Sequence, residues 1–420
     1  MLKELTVKNL RSFNKEVTFS MEADYDRVGE YKDHVVELTN NKLLKVASMY
    51  GPNGGGKTNL ILALNLSKAI IKYSEITAFR PLDIKCVFSD DDVIEETLFF
   101  VDDQYEMGFH FGIISNIEED NIMSHDSSTT TFSTRINIIE ETVVYRRKDD
   151  FEFKVLYERD RTGSIKSEEF SKIGINNMPN LAKGKTVLSQ IYELYANSDF
   201  IENESIGIIK RLYEEIDSID SLEQRVYPRR SLSKFILNHK ESLIKLLNSV
   251  DINISNIAEY DDRPEQFYFV RELLVNGTKI KREIPLREES AGTKKIFYIF
   301  LKLINAFANK KIFYCDDMNA FLHPKLYRAI IELFNSEKNK SCQLIFNSHD
   351  ITNMTNELFR RDEIWFAYRD ESYSTQLIPL SNIVNYKGEQ VRKDAKYSKQ
   401  YLEGKYGADP FIKKGLNWDE

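Results

Sequence analysis

The 420-residue chain is poor in the residues that build metal sites and disulfide frameworks, with only three cysteines and six histidines. Cys86, Cys315 and Cys342 are widely scattered. They read as buried thiols of a cytoplasmic protein, and the histidines form no ligand cluster. No apolar run is long enough to span a bilayer, and the N-terminus lacks the apolar core of a signal peptide, so no membrane association is expected. A basic excess is missing too. The net charge of −8 and pI of about 5.6 exclude a global positive field for nucleic acid. Arg225, Arg229 and Arg230 form one local basic cluster of a kind that is usually solvated surface. There is no internal repeat. The residues that are 42% hydrophobic suffice for a sizeable core, and the length allows two or three domains or one core with a large insertion.

What is present centres on Gly51-Pro-Asn-Gly-Gly-Gly-Lys57-Thr58, which fits G-x-x-x-x-G-K-[ST]. Lys45–Tyr50 reads as a strand entering the glycines, and Asn59–Ile71 as an amphipathic helix leaving them. A phosphate needs backbone free of side chains, with N–H groups turned inward at the positive end of a helix. Asn53, Gly54, Gly55, Gly56, Lys57, Thr58 and Asn59 are the expected nucleotide-binding positions. Lys57 reaches the β/γ-phosphates and the Thr58 hydroxyl holds Mg²⁺. A chance glycine-rich turn is the competing reading, and it loses because strand, loop, Lys-Thr and helix are all in register.

A second acidic site is required, and the apolar strand Lys311–Cys315 ends in Asp316-Asp317. The first acid steadies the Mg²⁺ shell, and the second polarises a water for attack on the γ-phosphate. The apolar run Gln343–Asn347 then delivers Ser348-His349-Asp350 at its carboxyl end, where open α/β sheets place ligands. His349 is positioned there to sense the γ-phosphate. Ser290, Ala291, Gly292 and Thr293 precede another helix. They read either as a plain N-cap or as a second anion site, one most useful to the nucleotide of another subunit. No Asp-x-x-Gly follows the second strand and no Asn-Lys-x-Asp is present, so ATP is expected rather than GTP.

Around these motifs, residues 1–20 read as a hairpin turning at Arg11 to Asn14, and residues 84–157 as an antiparallel sheet with a loop at Asn116–Thr131. Helical spacing appears in Thr186–Ala196, Ile206–Ile216 and, after Pro228, Leu232–Leu247. Strands return at 251–283 with Asn276-Gly277 as a turn signal, and strand–helix alternation after 285 implies a largely parallel sheet. The expected division is 1–165, an N-terminal lobe with the phosphate loop and an antiparallel β-subdomain; 166–250, a helical insertion; 251–384, a C-terminal lobe; and 385–420, a tail.

Val7-Lys-Asn-Leu-Arg11-Ser12-Phe13, the phosphate loop, Ser290-Ala-Gly-Thr293, Asp316-Asp317 followed by Leu322-His323-Pro324, and Ser348-His349 occur in an order that resembles the SMC, RecF and OLD-like ABC ATPases. The tail Val391–Ile412 resembles that of the stand-alone ATPases of bacterial phage-defence operons, such as the AbiL and RloA groups and the PARIS ATPase subunit. The resemblance implies an α/β ABC-ATPase head: a P-loop NTPase with a mixed or parallel sheet, an antiparallel β-lobe and a helical insertion. It also implies a homodimer or higher homo-oligomer closing head to tail around ATP and Mg²⁺. Ser290 and Gly292 then act in trans, Arg11 lies near the phosphates, Asn319–His323 crosses the interface, and Lys57, Asp317 and His349 are catalytic. A sensor or assembly subunit of an antiphage system is implied, with a separately encoded nuclease or toxin as effector and a nucleic acid or phage protein as trigger. A RecF- or SMC-like repair ATPase is the alternative, which the acidity disfavours. A transporter subunit is a third reading, opposed by the first-strand motif and the large insertion. Two features depart from the pattern. Asp317 stands where Glu is usual, which predicts slow hydrolysis, and the glutamine of the family's Q-loop has only Gln104 as a candidate. The stretch between Thr58 and Ser290 is too short and too poor in heptads for long coiled-coil arms.

Overall fold

The structure, a computed structural model, describes residues 1–24, 31–72, 84–124, 127–172, 185–195, 198, 202–221, 229–260, 263–275, 277–320, 322–384 and 388–407. Arg225, Pro228, Asn276 and the end of the tail motif lie outside the described residues.

Alternating apolar residues make Leu2–Lys8 (β1) and Val17–Ser20 (β2) an antiparallel pair, with Leu5 opposite Phe19 and Val7 opposite Val17. Val35–Glu37 (β3) and Lys42–Leu44 (β4) form a small separate ribbon. The fully buried Val46–Tyr50 (β5) leads through the glycines into Lys57–Lys72 (α1), whose Leu60, Ala63, Leu64, Ser67 and Ile71 recur at helical spacing on its buried face. Ile94–Val101 (β6), Tyr105–Ser124 (β7), Ser127–Arg147 (β8), Lys154–Arg159 (β9) and Ile165–Lys166 (β10) follow. They join the first pair in a seven-stranded antiparallel sheet of order β10-β9-β8-β7-β6-β1-β2.

One expectation fails here. Asn116–Thr131 was expected as a loop, yet β7 and β8 pair through it, from Asn116 opposite Arg135 to Ser124 opposite Ser127. Polarity suggests a loop, whereas the β-branched Thr129–Thr131 favours extended backbone.

Glu168–Lys172 (α2), Val187–Tyr195 (α3) and Glu204–Ser218 (α4) come next. The buried Glu141 of β8 accepts from the Val187 and Leu188 N–H groups at 2.8 and 3.0 Å, placing a carboxylate at the positive end of α3. The α4 helix runs into Ile219–Ser221 (β11). The single helix expected over 232–247 is two, Arg229–Asn238 (α5) and Lys240–Asn248 (α6). The chain breaks at His239, whose φ is −111° and whose ring packs on Phe235. Asn256–Tyr260 (β12), Arg263–Val275 (β13) and Thr278–Pro285 (β14) make a three-stranded antiparallel sheet.

The remaining elements are Ala291–Asn309 (α7), Ile312–Cys315 (β15), Pro324–Asn335 (α8), Gln343–Asn347 (β16), Ile364–Arg369 (β17), Thr375–Pro379 (β18) and Tyr397–Leu402 (α9). Their strands build the central sheet, of order β11-β15-β16-β5-β17-β18. Every neighbour in it is parallel except β17 with β18. The chain is therefore α/β with an added antiparallel lobe, as the motif order implied. Side chains of β5 point alternately to two cores. Ala47 and Met49 pack with α1 and the seven-stranded sheet, and Val46 and Tyr50 pack with α7 and α8. Cys86, Cys315 and Cys342 are buried thiols outside any disulfide, and burial pushes the Cys342 thiol up to about 11.

Candidate functional site

The three central strands β15, β16 and β5 run parallel, with Cys315 beside Phe346 and Asn347 beside Met49. Their carboxyl ends therefore lie side by side, and the loops leaving them carry Asp316-Asp317, Ser348-His349 and the glycines. Sheet topology alone gathers motifs separated by hundreds of residues.

The phosphate loop is glycine-rich for a steric reason. At Gly51, with φ of 145°, a Cβ would lie 2.1 Å from the Ala367 carbonyl oxygen of β17. At Gly56, with φ of 103°, it would lie 2.1 Å from Thr375 Oγ1. The loop is pressed against β17 and the start of β18 while its Asn53 and Gly54 stay exposed. Behind it runs a chain of hydroxyl bonds. Asn59 Nδ2 donates to Ser12 Oγ at 2.6 Å, Ser12 Oγ lies 2.6 Å from Thr375 Oγ1, and Thr375 Oγ1 donates to the Gly55 carbonyl at 3.0 Å. Because the Thr375 proton is used on Gly55, Ser12 donates to Thr375. The Thr375 N–H also donates to the Ser12 carbonyl at 2.7 Å.

The Lys57 ammonium is buried and donates to the Gly51 and Pro52 carbonyls, both at 2.9 Å. Burial lowers its pKa, and the charges of Asp317 and Asp316 oppose that shift. Thr58 Oγ1 donates to Asp316 Oδ1 at 3.1 Å, joining residues 258 positions apart. Asp316 is in turn held by Asn347, whose side-chain Nδ2 donates to the same oxygen. The Oδ1 of Asn347 accepts from the Asp317 N–H at 2.6 Å. One buried amide thus clamps both acids. Asp317 itself has φ of 46°, in the left-handed region that Asp tolerates better than most residues. Its carboxylate lies 3.5 Å from His349 Nε2, and both side chains are about half exposed, at 53% and 45%.

Asn319 ties the next loop to the switch segment, its Oδ1 accepting from Ser348 Oγ at 2.8 Å and from the His349 N–H at 3.3 Å. His323 caps α8 by accepting from the Lys325 N–H at 3.2 Å, and Phe321 lies outside the described residues.

Lys57, Thr58, Asp316, Asp317 and His349 are therefore brought together. Ser290, Ala291, Gly292 and Thr293 stand apart from that cluster, and no contact among the described residues joins the two. Ser290 is the N-cap of α7, accepting from the Thr293 N–H at 3.0 Å and donating to Thr293 Oγ1 at 3.0 Å, so the cap reading holds within one chain. Ser290 and Ala291 are exposed at the head of this helix. Arg11 is half-buried with φ of 54°, and its N–H donates to the Ile84 carbonyl at 2.8 Å. Among the described residues its guanidinium has no carboxylate partner. Gln104 lies in the β6–β7 turn, where its side-chain oxygen accepts from Arg211 of α4 at 2.8 Å. No contact among the described residues ties it to the loop.

The motif reading missed Asn347 and Thr375, and it gave Asn319 only as the start of the loop crossing the interface. A polar residue closing the apolar run Leu344–Phe346 was a usable signal for Asn347. Thr375 had none, because its role depends on β18 folding back beside β17.

A family model described as "AAA domain, putative AbiEii toxin, Type IV TA system" matches residues 46–353, well over half of the chain. No curated protein is similar to the chain at a significant level. Among solved structures, the SMC head domain from Thermotoga maritima is 14% identical, with 90% of this chain and 98% of that chain covered and a TM-score of 0.37. An Smc head domain with an extended coiled coil, bound to the C-terminal domain of ScpA and derived from Pyrococcus furiosus, is 11% identical, with 90% and 95% covered and a TM-score of 0.36.

Proposed function

The chain belongs to the AAA-domain family matched over residues 46–353, an ABC-type ATPase family, and from that premise we propose that it binds and hydrolyses ATP at Gly51–Thr58. The observation that carries the reading is the bond from Thr58 Oγ1 to Asp316 Oδ1 at 3.1 Å, which unites the hydroxyl of one motif with the acid of another. In this reading the N–H groups of Asn53–Asn59 cradle the phosphates at the head of α1, and Lys57 turns from its loop carbonyls to the β/γ-oxygens. Thr58 and Asp316 would hold Mg²⁺, since hydroxyl and carboxylate oxygens are the hard donors this ion takes. When bound, the ion would neutralise charge between the β- and γ-phosphates. Asp317 orients the attacking water and accepts its proton. His349, 3.5 Å away, bonds the γ-phosphate oxygens and holds the Asp317 carboxylate in place.

The exposed helix head at Ser290–Thr293 supports assembly. Its cap satisfies only part of the first turn, and a second copy docking head to tail would present Ser290 and Gly292 to the γ-phosphate. Arg11 would contribute charge beside the same phosphates. We take 1–165, 166–250, 251–384 and 385–420 as the lobe, insertion, second lobe and tail of this head. The family's description as a toxin of a type IV TA system supports a defence setting, in which ATP closes the dimer and hydrolysis reopens it, with a separate effector and a nucleic-acid or phage-protein trigger. Among the described residues no helix is long and apolar enough to cross a membrane.

Release of labelled γ-phosphate tests the reading. Wild type turns over slowly with Mg²⁺, and Lys57→Ala abolishes turnover while keeping its thermal unfolding transition. Equal turnover in the two proteins would refute it.

A further inference from the structure

Tyr50 closes β5 and Tyr327 lies in the first turn of α8, and both are fully buried in the core between them. Their hydroxyls stand 3.4 Å apart, too far for a strong bond. Phe346 of β16 packs edge-on against Tyr327, with ring centroids 5.7 Å apart and planes at 88°, which fixes the ring. Phenylalanine at position 327 would fill the same space, and a hydroxyl left unbonded in an apolar core costs stability. The partners of this hydroxyl therefore show its use.

The second partner of Tyr327 is Ser348, itself buried and adjacent in sequence to His349. The order of the protons follows from the neighbours. Asn319 Oδ1 accepts from the Ser348 hydroxyl at 2.8 Å and from the His349 N–H at 3.3 Å, while the Asp350 N–H donates to Ser348 Oγ at 3.0 Å. The Ser348 proton is committed to Asn319, and the remaining lone pair of Ser348 takes the proton of Tyr327. Burial pushes the Tyr327 hydroxyl well above its ordinary range, so that proton stays on the ring.

The bonds run one way, from Tyr327 to Ser348 to Asn319, and end beside the His349 backbone. Bonds aligned in this manner polarise and strengthen one another. Tyr327 is also tied to the loop that carries Asn319, since its N–H donates to the His323 carbonyl at 3.1 Å. Ser348 is thus held from the core side by α8 and from the site side by Asn319. The next residue, His349, is half exposed, yet its Nε2 lies 3.5 Å from the Asp317 carboxylate. A side chain with so little packing of its own takes its direction from the backbone beneath it, and hydrogen bonds behind a site are what hold that backbone.

We propose that Tyr327 is a positioning residue for ATP hydrolysis: its buried hydroxyl fixes Ser348, and through Ser348 and Asn319 it aims His349 at Asp317. This inference rests on the reading of Gly51–Thr58 as an ATP site and of His349 as the group that bonds the γ-phosphate. Tyr327 touches neither nucleotide nor water. Its effect falls on the rate of the chemical step and not on the affinity for ATP.

Steady-state phosphate release with Mg²⁺-ATP tests the assignment. Tyr327→Phe keeps the ring and loses only the hydroxyl, and it is expected to lower kcat about 2- to 12-fold with KM unchanged. Tyr50→Phe removes the neighbouring hydroxyl, which pairs with Tyr327 and not with Ser348, and lowers kcat less. In a His349→Ala background, Tyr327→Phe leaves the residual kcat unchanged, because the ring it aims is gone. An unaltered kcat in Tyr327→Phe would overturn the proposal. So would an equal loss in Tyr50→Phe, which marks a general effect of a core hydroxyl, or the same fold-loss in the His349→Ala background, which marks action elsewhere. The reading beneath fails by a different result: a wild type that releases phosphate no faster than Lys57→Ala would refute the ATP site, and the role of Tyr327 with it.

Discussion

Asp317→Glu is the perturbation whose consequences the structure sets most tightly. Asp317 lies at the carboxyl end of β15 with its N–H fixed by Asn347 and its backbone at φ of 46°. Lengthening the side chain by one carbon–carbon bond moves the carboxylate forward by about 1.5 Å. Displacements on the order of 1 Å at a reacting group change rates about 100-fold, equivalent to about 2.7 kcal/mol of barrier. Against this stands the backbone. Asp eases the left-handed conformation with its short polar side chain, and Glu loses that help, a cost of about 1 kcal/mol in stability. The two effects have separate readouts, so neither masks the other. Single-turnover release of γ-phosphate from pre-bound ATP is expected to rise by up to about 100-fold in Asp317→Glu, while urea unfolding shows a loss of about 1 kcal/mol. An unchanged or slower turnover would show that the reach of Asp317 does not limit the reaction. An unchanged stability would show that the left-handed backbone does not favour aspartate.

Two further outcomes follow from buried groups. Asn347→Ala removes the amide that holds Asp316 and leaves the Asp317 N–H without its partner, at a cost of about 1–3 kcal/mol; borne by the transition state, that lowers turnover about 5- to 150-fold, a factor of ten per 1.36 kcal/mol, with a smaller change in ATP affinity, and equal losses in both would contradict a positioning role. Glu96 of β6 is fully buried against α1, with Ser67 Oγ donating to one carboxylate oxygen at 2.6 Å and the other oxygen unpaired. Burial raises its pKa well above the ordinary 4.5. The folded state therefore keeps a proton that the unfolded chain releases, and stability falls as pH rises from about 4.5 to the raised folded value, by about 1.4 kcal/mol per pH unit. Glu96→Gln should match wild type near pH 4 and be the more stable protein at pH 8. Stability curves that stay parallel across that range would contradict the assignment.

Much of this architecture is written locally. Ile312–Cys315 and Leu344–Phe346 are unbroken apolar runs and Val46–Tyr50 is interrupted only by Ser48, the composition expected of parallel strands buried on both faces. The acids, hydroxyls and histidine that follow them need only the parallel sheet to converge. What the sequence hides is non-local. Ser12 and Thr375 meet across 363 positions, and nothing near either residue marks the partner. Ile219–Ser221 is too short to show a period, and it becomes a strand because α4 delivers it beside β15. Asn116–Thr131 shows the converse, since it pairs as a strand ribbon without any apolar alternation in its sequence. The Asp317 backbone likewise depends on Asn347, 30 positions away in the chain.

In the proposed dimer ATP completes its site between two copies, with Ser290 and Gly292 of one facing the nucleotide held by Lys57 of the other. Light-scattering molar mass, measured with and without Mg²⁺-ATP, tests it most directly. ATP is expected to double the mass of the wild-type chain, while neither Lys57→Ala, which lacks the phosphate contact, nor Ser290→Arg, which blocks the exposed helix head, responds. A mass that ATP leaves unchanged in wild type, or raises equally in Ser290→Arg, would contradict it.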